Sequence, residues 1–148
     1  MGIGGAFPGR AELGELLLAR RVVAADLGAD SPAGFLSVDE LGFGTSTLDA
    51  GRVPGIDAVV GTILTVNTAT GTDERAAELM TRHPQAVGEA MEGYGVAAAA
   101  ALADLPFAEV RAVSNVVGKR DRAAWQLGLA FKALTAAALP VVTGLEAC

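Results

Sequence analysis

The chain has 148 residues, of which 51% are hydrophobic and 5% aromatic, so it is sized for one domain with an aliphatic core. Its net charge of −6 argues against a nucleic-acid partner, because phosphate binding needs a basic face. A single cysteine, Cys148, and a single histidine exclude an internal disulfide, a cysteine zinc finger and a multi-histidine metal site. We therefore expect neither a metal nor a cofactor.

Membrane and export signals are not found by inspection of the sequence. The apolar run Val96–Ala103 is much shorter than the roughly 20 residues that cross a bilayer, and no stretch is interpreted as long enough. The start has no basic segment followed by an apolar one. These observations predict a soluble, cytoplasmic enzyme or small-ligand binder with no membrane partner.

The first third of the chain alternates apolar and glycine-rich segments. Gly2–Gly5 predicts a loop of the kind that usually follows a strand, although no strand precedes it here. Apolar residues at 16–18 and 22–25 predict two strand segments, interrupted by a pair of arginines. The acidic stretch 26–55 is rich in Gly, Ser and Thr and predicts a long surface loop.

The rest of the chain alternates predicted strands and helices. The β-branched run Val59–Val66 predicts a buried strand. Thr72 is a suitable N-cap for a helix that reaches Arg82 and is stopped by Pro84. Further elements follow: a strand at 87–91, a glycine-containing turn at 93–95 that leads into an Ala-rich helix ending at about Asp104, a strand at 110–114 and a helix at 122–139 capped by Asp121. This order favours an α/β fold with a largely parallel sheet.

Ligands of open α/β sheets bind beyond the carboxyl ends of strands, so the residues that follow each predicted strand are the candidates. Of these, Glu92 lies between an apolar strand and a glycine-containing turn into a helix, where its carboxylate can accept hydrogen bonds from two vicinal hydroxyls of a ribose. The alternative, which position alone favours, is an acid that accepts from the free amides of the helix N-terminus.

A second candidate, Asn115, ends a predicted strand with an amide that offers donors beside an acceptor. This matches a 6-oxopurine protonated at N7, which presents N7–H next to O6. A 6-aminopurine would suit a protonated carboxyl group better. The alternative is an asparagine that merely forms a turn.

Four other side chains have simpler alternatives. Arg120, in the one dense basic cluster, can pair with an anionic arm of a substrate, or it is a solvated residue at a helix start. His83 is interpreted as a helix C-terminal cation or turn residue. Trp125 and Phe131 are expected in the core of the final helix rather than as a stacking platform.

Four segments resemble the C-terminal half of the nucleoside phosphorylase and nucleosidase superfamily. They are residues 2–7 (GIGGAF), 83–87 (HPQAV), 90–93 (AMEG) and 110–115 (VRAVSN). Within it, residues 114–121 (SNVVGKRD) with Trp125 are most similar to the futalosine hydrolase family. The resemblance covers nearly the whole chain. It implies a single domain over 1–148, with a twisted mixed central sheet flanked by helices, in a homo-oligomer.

The resemblance also implies roles for particular residues. Glu92 would bind the ribose hydroxyls and Met91 would pack beneath the sugar, while Asn115 would stand where adenosine-type nucleosidases have the acid that protonates N7. The implied reaction is hydrolysis of the N-ribosyl bond of futalosine, releasing hypoxanthine on a route to menaquinone. Arg120, or another arginine, would pair with the carboxylate of that substrate. The implied base contacts are Ile3, Gly4, Gly5, Asn67, Thr70 and Asn115.

One departure from the superfamily leaves alternatives open. Its members carry a further segment before the glycine loop, with the first strands and a glutamate that activates water, and no segment of this chain matches it. We therefore expect the chain to correspond to the C-terminal two-thirds of such an enzyme, with the N-terminal strands missing. The alternatives are a purine nucleoside phosphorylase and a non-catalytic fragment that binds purine nucleosides.

Overall fold

The computed structural model describes residues 1–146, so Cys148 lies outside the described residues. Six strands form one sheet, and a separate hairpin contains the other two. The strands are β1 (Gly2–Ala6), β2 (Leu16–Ala24), β3 (Gly28–Ser31), β4 (Gly34–Ser37), β5 (Thr47–Asp49), β6 (Val59–Thr65), β7 (Ala86–Ala90) and β8 (Val110–Val116). The helices are α1 (Asp73–Arg82), α2 (Gly93–Leu102) and α3 (Leu127–Glu146).

The large sheet has the order β5-β2-β6-β7-β1-β8, and β8 also pairs with β2, which closes five strands into a ring. Parallel pairs join β2 to β6, β6 to β7 and β1 to β8. Antiparallel pairs join β1 to β7, β2 to β5 and β2 to β8. The predicted mixed sheet flanked by helices is therefore confirmed.

The first glycine-rich segment is a strand and not the predicted loop. β1 lies between β7 and β8, and its glycines allow both neighbours to approach closely. A Cβ added to Gly4 would lie 2.8 Å from the carbonyl oxygen of Glu89, and one on Gly5 would lie 2.8 Å from Val117 Cγ2. Local propensity disfavours glycine in strands, but contacts with two neighbours decide the conformation here.

Two other predictions for the first third of the chain are wrong. The arginine pair does not interrupt the strand, because β2 runs continuously and takes up the irregularity as a register shift between Ala19 and Arg21. The stretch 26–55 is not a plain loop, since it contains the β3–β4 hairpin and β5, which pairs with β2.

The predicted start of α1 is confirmed, whereas that of the last helix is wrong. Thr72 accepts from the backbone N–H of Arg75 as its N-cap. Asp121, by contrast, caps a short 3₁₀ turn, and α3 begins only at Leu127 and continues through Pro140. Its continuation past the proline, which costs a backbone hydrogen bond, is supported by packing of Ala137 and Val141 in a buried cluster.

The last helix also corrects two expectations about apolar residues. Trp125 precedes α3 and is half-buried, and the Phe131 side chain is 55% exposed, so neither forms the core of a helix as expected. Among residues 1–146, the segment Leu127–Leu145 is long and apolar enough to cross a membrane, contrary to the interpretation of the sequence. One such helix is weak evidence, because length and composition alone do not distinguish it from a core helix.

The central core lies where the ring of strands meets α2. Fully buried aliphatic side chains come from several strands of the ring, including Leu17, Val22, Ile63 and Val113, and Ala97 joins them from α2. On burial, such side chains each contribute about 1.5–3 kcal/mol. This packing fixes β1 and β8, which carry the candidates at 3–5 and 115, and β7, which leads into Met91 and Glu92.

Candidate active site

The register of β1 brings two candidate regions to the same place. Gly5 is paired with Glu89 of β7 on one side and with Asn115 of β8 on the other. β7 and β8 run in opposite directions, because β1 is antiparallel to the first and parallel to the second. The carboxyl end of β7, with Met91 and Glu92, therefore lies towards the start of β8 and not beside Asn115.

The amide of Asn115 is oriented by its neighbours. Its Oδ1 lies 2.9 Å from the Ser114 hydroxyl, and its Nδ2 donates to the Val116 carbonyl at 3.1 Å. Since an amide has two N–H groups and two lone pairs on oxygen, one donor and one acceptor remain after these bonds. The side chain is half-buried beside Gly5, whose added Cβ would lie 3.0 Å from Nδ2.

A buried acid that sequence reasoning missed lies across β1 from Asn115. Glu89 is 7% exposed, and its two oxygens accept from the backbone N–H of Thr70 at 2.9 Å and from the Thr70 hydroxyl at 2.6 Å. Burial raises the pKa of Glu89 above its ordinary value, and the bonds from Thr70 oppose this in part. The available signal was an acid within the apolar run Ala86–Ala90.

Glu89→Gln is expected to flatten part of the pH dependence of stability. A glutamine can accept from the Thr70 amide and donate to its hydroxyl, so the variant should fold. Because the folded-state pKa of Glu89 lies above its ordinary value of 4.5, the wild type loses stability as pH rises from that value through the raised pKa. The loss is about 1.4 kcal/mol for each unit by which the pKa is raised.

Urea unfolding of both proteins between about pH 4 and pH 8 measures this difference. Glu109, whose pKa burial also raises, is present in both proteins and cancels in the comparison. The prediction would be contradicted if the free energy of unfolding changed equally with pH in the wild type and the variant.

The carboxylate of Glu92 is bound by an arginine and does not cap its helix. Glu92 Oε2 accepts from Arg111 Nη1 at 2.8 Å, and Glu92, although at the N-cap position of α2, makes no side-chain capping bond. The backbone N–H of Tyr94 is instead satisfied by Thr65 Oγ1 at 2.8 Å. The alternative interpretation of Glu92 as an acid that caps α2 is therefore wrong.

Arg111 links Glu92 to β1 and to a second acid. Its Nη1 lies 3.4 Å from the carbonyl oxygen of Ile3, and its Nε donates to Glu109 Oε1 at 2.6 Å. Sequence reasoning assigned no role to Glu109, although the Glu-x-Arg spacing at 109–111 puts both side chains on one face of a strand. From Ile3 to Gly5 the strand advances about 7 Å, so the Glu92 and Asn115 regions are about one sugar–base length apart.

The remaining candidates lie around these two regions. Met91 is 50% exposed directly before Glu92, and Gly4 is buried between Ile3 and Gly5. Asn67 is exposed, and its backbone N–H and Nδ2 both donate to Asp26, at 2.6 Å and 2.9 Å. Asp26 follows β2 and is a further residue that the sequence did not single out.

Arg120 lies beside the loop that carries Thr70. Its backbone N–H donates to the Gly71 carbonyl at 3.1 Å, and the residue is exposed. His83 lies elsewhere, at the C-cap of α1, where burial lowers the pKa of its imidazole. The structure therefore confirms His83 as a residue at the helix end but favours its neutral form over the expected cation.

A comparison with family models matches residues 1–142 to the phosphorylase superfamily. The chain therefore belongs to that superfamily, as its mixed sheet and the residues along β1, β7 and β8 lead one to expect. Two relatives narrow the comparison within this superfamily to futalosine hydrolases. The chain is 51% identical to a futalosine hydrolase of Streptomyces coelicolor, over 98% of this chain and 64% of the relative. It is 47% identical to one of Acidothermus cellulolyticus, over 85% of this chain and 56% of the relative.

Solved structures show the same fold. A 5'-methylthioadenosine/S-adenosylhomocysteine nucleosidase of Colwellia psychrerythraea, in complex with adenine, superposes with a TM-score of 0.77 at 20% identity, over 97% of this chain and 65% of that one. A futalosine hydrolase of Helicobacter pylori gives 0.76 at 17% identity, over 99% and 66%. The chain thus spans between 56% and 66% of the length of these relatives and solved proteins.

Proposed function

We propose that this chain provides the nucleoside-binding part of a futalosine hydrolase, which releases hypoxanthine from futalosine in menaquinone biosynthesis. The observation that carries the proposal is the amide of Asn115, which retains one donor and one acceptor beside Gly5 after its bonds to the protein. A hypoxanthine protonated at N7 presents the matching pair, N7–H and O6. The similarity to the futalosine hydrolase of Streptomyces coelicolor supports the same substrate.

The proposed reaction breaks the bond between C1′ of the ribose and N9 of the base. The bonding electrons pass to the base, which gains a proton at N7, and positive charge builds on the sugar. Asn115 stabilises the leaving base by accepting from N7–H and donating to O6. Glu92 accepts from the two ribose hydroxyls, while Met91 packs beneath the ring. Water adds its hydroxyl to C1′, and the proton that it loses balances the one gained at N7. No residue of this chain is assigned to the transfer of that proton.

Other contacts to the substrate follow from the same arrangement. Backbone groups of Ile3, Gly4 and Gly5 lie along the path from the sugar to the base. Thr70 already donates its hydroxyl proton to Glu89, so only its oxygen lone pairs can serve a ligand. Arg120, exposed beside Gly71, is proposed to bind the substrate's carboxylate.

The wider assignments follow from the proposed enzyme. We place it in the cytoplasm as a homo-oligomer within a single domain, working on a small-molecule nucleoside without metal or cofactor. No nucleic-acid or membrane partner is assigned. The net charge of −6 supports the first of these exclusions.

The test is release of hypoxanthine from futalosine and from inosine, followed by chromatography, first without phosphate and then with it. We expect release from futalosine that does not depend on phosphate. Release that requires phosphate would replace the proposal with a nucleoside phosphorylase. Saturable binding of both nucleosides without release would replace it with a non-catalytic binder.

A further inference from the structure

Arg111 lies between two carboxylates that differ in their exposure to solvent. Its Nη1 is 2.8 Å from Glu92 Oε2, and the Glu92 side chain is 64% exposed. Its Nε is 2.6 Å from Glu109 Oε1, and the Glu109 side chain is 3% exposed. Only Glu92 of this pair is open to a ligand, so Glu109 can affect the site only indirectly, and Arg111 is the residue that bonds to both acids.

The buried position of Glu109 is enforced by the start of α2. A Cβ added to Gly93 would lie 2.2 Å from Glu109 Oε2, so the absence of a side chain at 93 leaves the space that this carboxylate uses. Among the described residues, Oε2 has no hydrogen-bond partner. A buried carboxylate is costly unless it is paired, and Arg111 supplies that pairing.

The ion pair determines where Arg111 points. A guanidinium is planar, so the bond from Nε to Glu109 limits the directions that its two Nη atoms can take. In this orientation Nη1 reaches Glu92. Without Glu109, rotation about the several single bonds of the arginine side chain would no longer be limited in this way.

The geometry points to Glu109 as a positioning residue that orients Arg111 and, through it, holds Glu92 in place to receive the ribose hydroxyls. This inference rests on the proposed function, because it takes Glu92 to be the residue that binds the sugar. It differs from a purely structural ion pair, which would affect stability without distinguishing a nucleoside from its free base.

Calorimetric titration of the full chain with inosine and with hypoxanthine tests the inference, since only inosine carries the ribose. We expect Glu109→Leu to weaken inosine binding by about tenfold and hypoxanthine binding by less than about twofold. Glu109→Gln, which keeps an acceptor for Arg111 Nε, should recover most of the loss. The matched control Glu74→Gln changes an exposed acid in the first turn of α1 and should bind both ligands normally.

A double-variant cycle adds a second readout. If Glu109 acts through Arg111 on Glu92, Glu109→Leu should weaken inosine binding no further in a Glu92→Gln background. Equal loss for inosine and hypoxanthine, unchanged inosine binding, or full additivity with Glu92→Gln would each overturn the inference. If Glu109→Leu fails to fold, Glu109→Ala, which also removes the acceptor of Arg111 Nε, carries the same comparison. A wild type that binds neither ligand would overturn the proposed function itself.

Discussion

Glu92→Gln is expected to lower kcat/KM for futalosine by at least about a hundredfold, equivalent to about 2.7 kcal/mol of transition-state stabilisation. The proposed role of Glu92 is to accept from two ribose hydroxyls while positive charge builds on the sugar. A neutral amide has one acceptor oxygen in place of two and carries no charge, and bonds to a charged acceptor are about twice as strong as neutral ones. Chromatographic assay of hypoxanthine release measures the change.

A matched variant separates this effect from general loss of negative charge. Glu74→Gln removes an exposed acid from the first turn of α1 and should leave kcat/KM within about twofold of wild type. The helix α2 should also persist in Glu92→Gln, because Thr65 Oγ1 satisfies the Tyr94 amide. Near-normal turnover by Glu92→Gln would refute the proposed contact with ribose.

Asn115→Asp is expected to move base preference from 6-oxopurine towards 6-aminopurine nucleosides by about a hundredfold in the ratio of kcat/KM values. A protonated carboxyl group can donate to N7 of a 6-aminopurine, and its other oxygen can accept from the 6-amino group. Rates with inosine and adenosine give the ratio.

The control for this exchange is Gln85→Glu, which makes the same change of amide to acid at an exposed position just before β7. Its base preference should equal that of wild type. An unchanged ratio in Asn115→Asp would mean that the amide does not read the base, even if the variant were less active.

The parts of the fold that sequence predicted correctly depend on local chemistry. Val59–Val66 reads as a strand because its side chains are β-branched and nearly uncharged, and Thr72 reads as an N-cap because its hydroxyl can accept from an amide in the first turn. Both features need only a few neighbouring residues. The structure has them as β6 and as the cap of α1.

The parts that sequence missed depend on distant contacts. Gly2–Ala6 has poor strand propensity, and it becomes a strand because β7 and β8 pair with it from both sides. Glu92 lies away from Asn115 because β7 and β8 run in opposite directions. The sequence predicted a largely parallel sheet, in which the two residues would lie at the same edge. Glu89 is satisfied by Thr70, nineteen residues away, a separation that no short motif spans.

At the start of α2, Thr65 accepts from a helix amide, whereas Glu92 faces solvent and Arg111. Helix capping and ligand contact are therefore assigned to different side chains. Where one side chain both caps a helix and contacts a ligand, replacing it to change the ligand contact also costs the stability of the cap. Here Thr65, at the end of β6, supplies the capping oxygen of α2, and the Glu92 carboxylate contacts Arg111 and solvent. Substitution of Glu92 can therefore change which ligand groups are bound without removing the side-chain bond that stabilises the start of α2. New specificities could thus evolve at position 92 without this loss of helix stability.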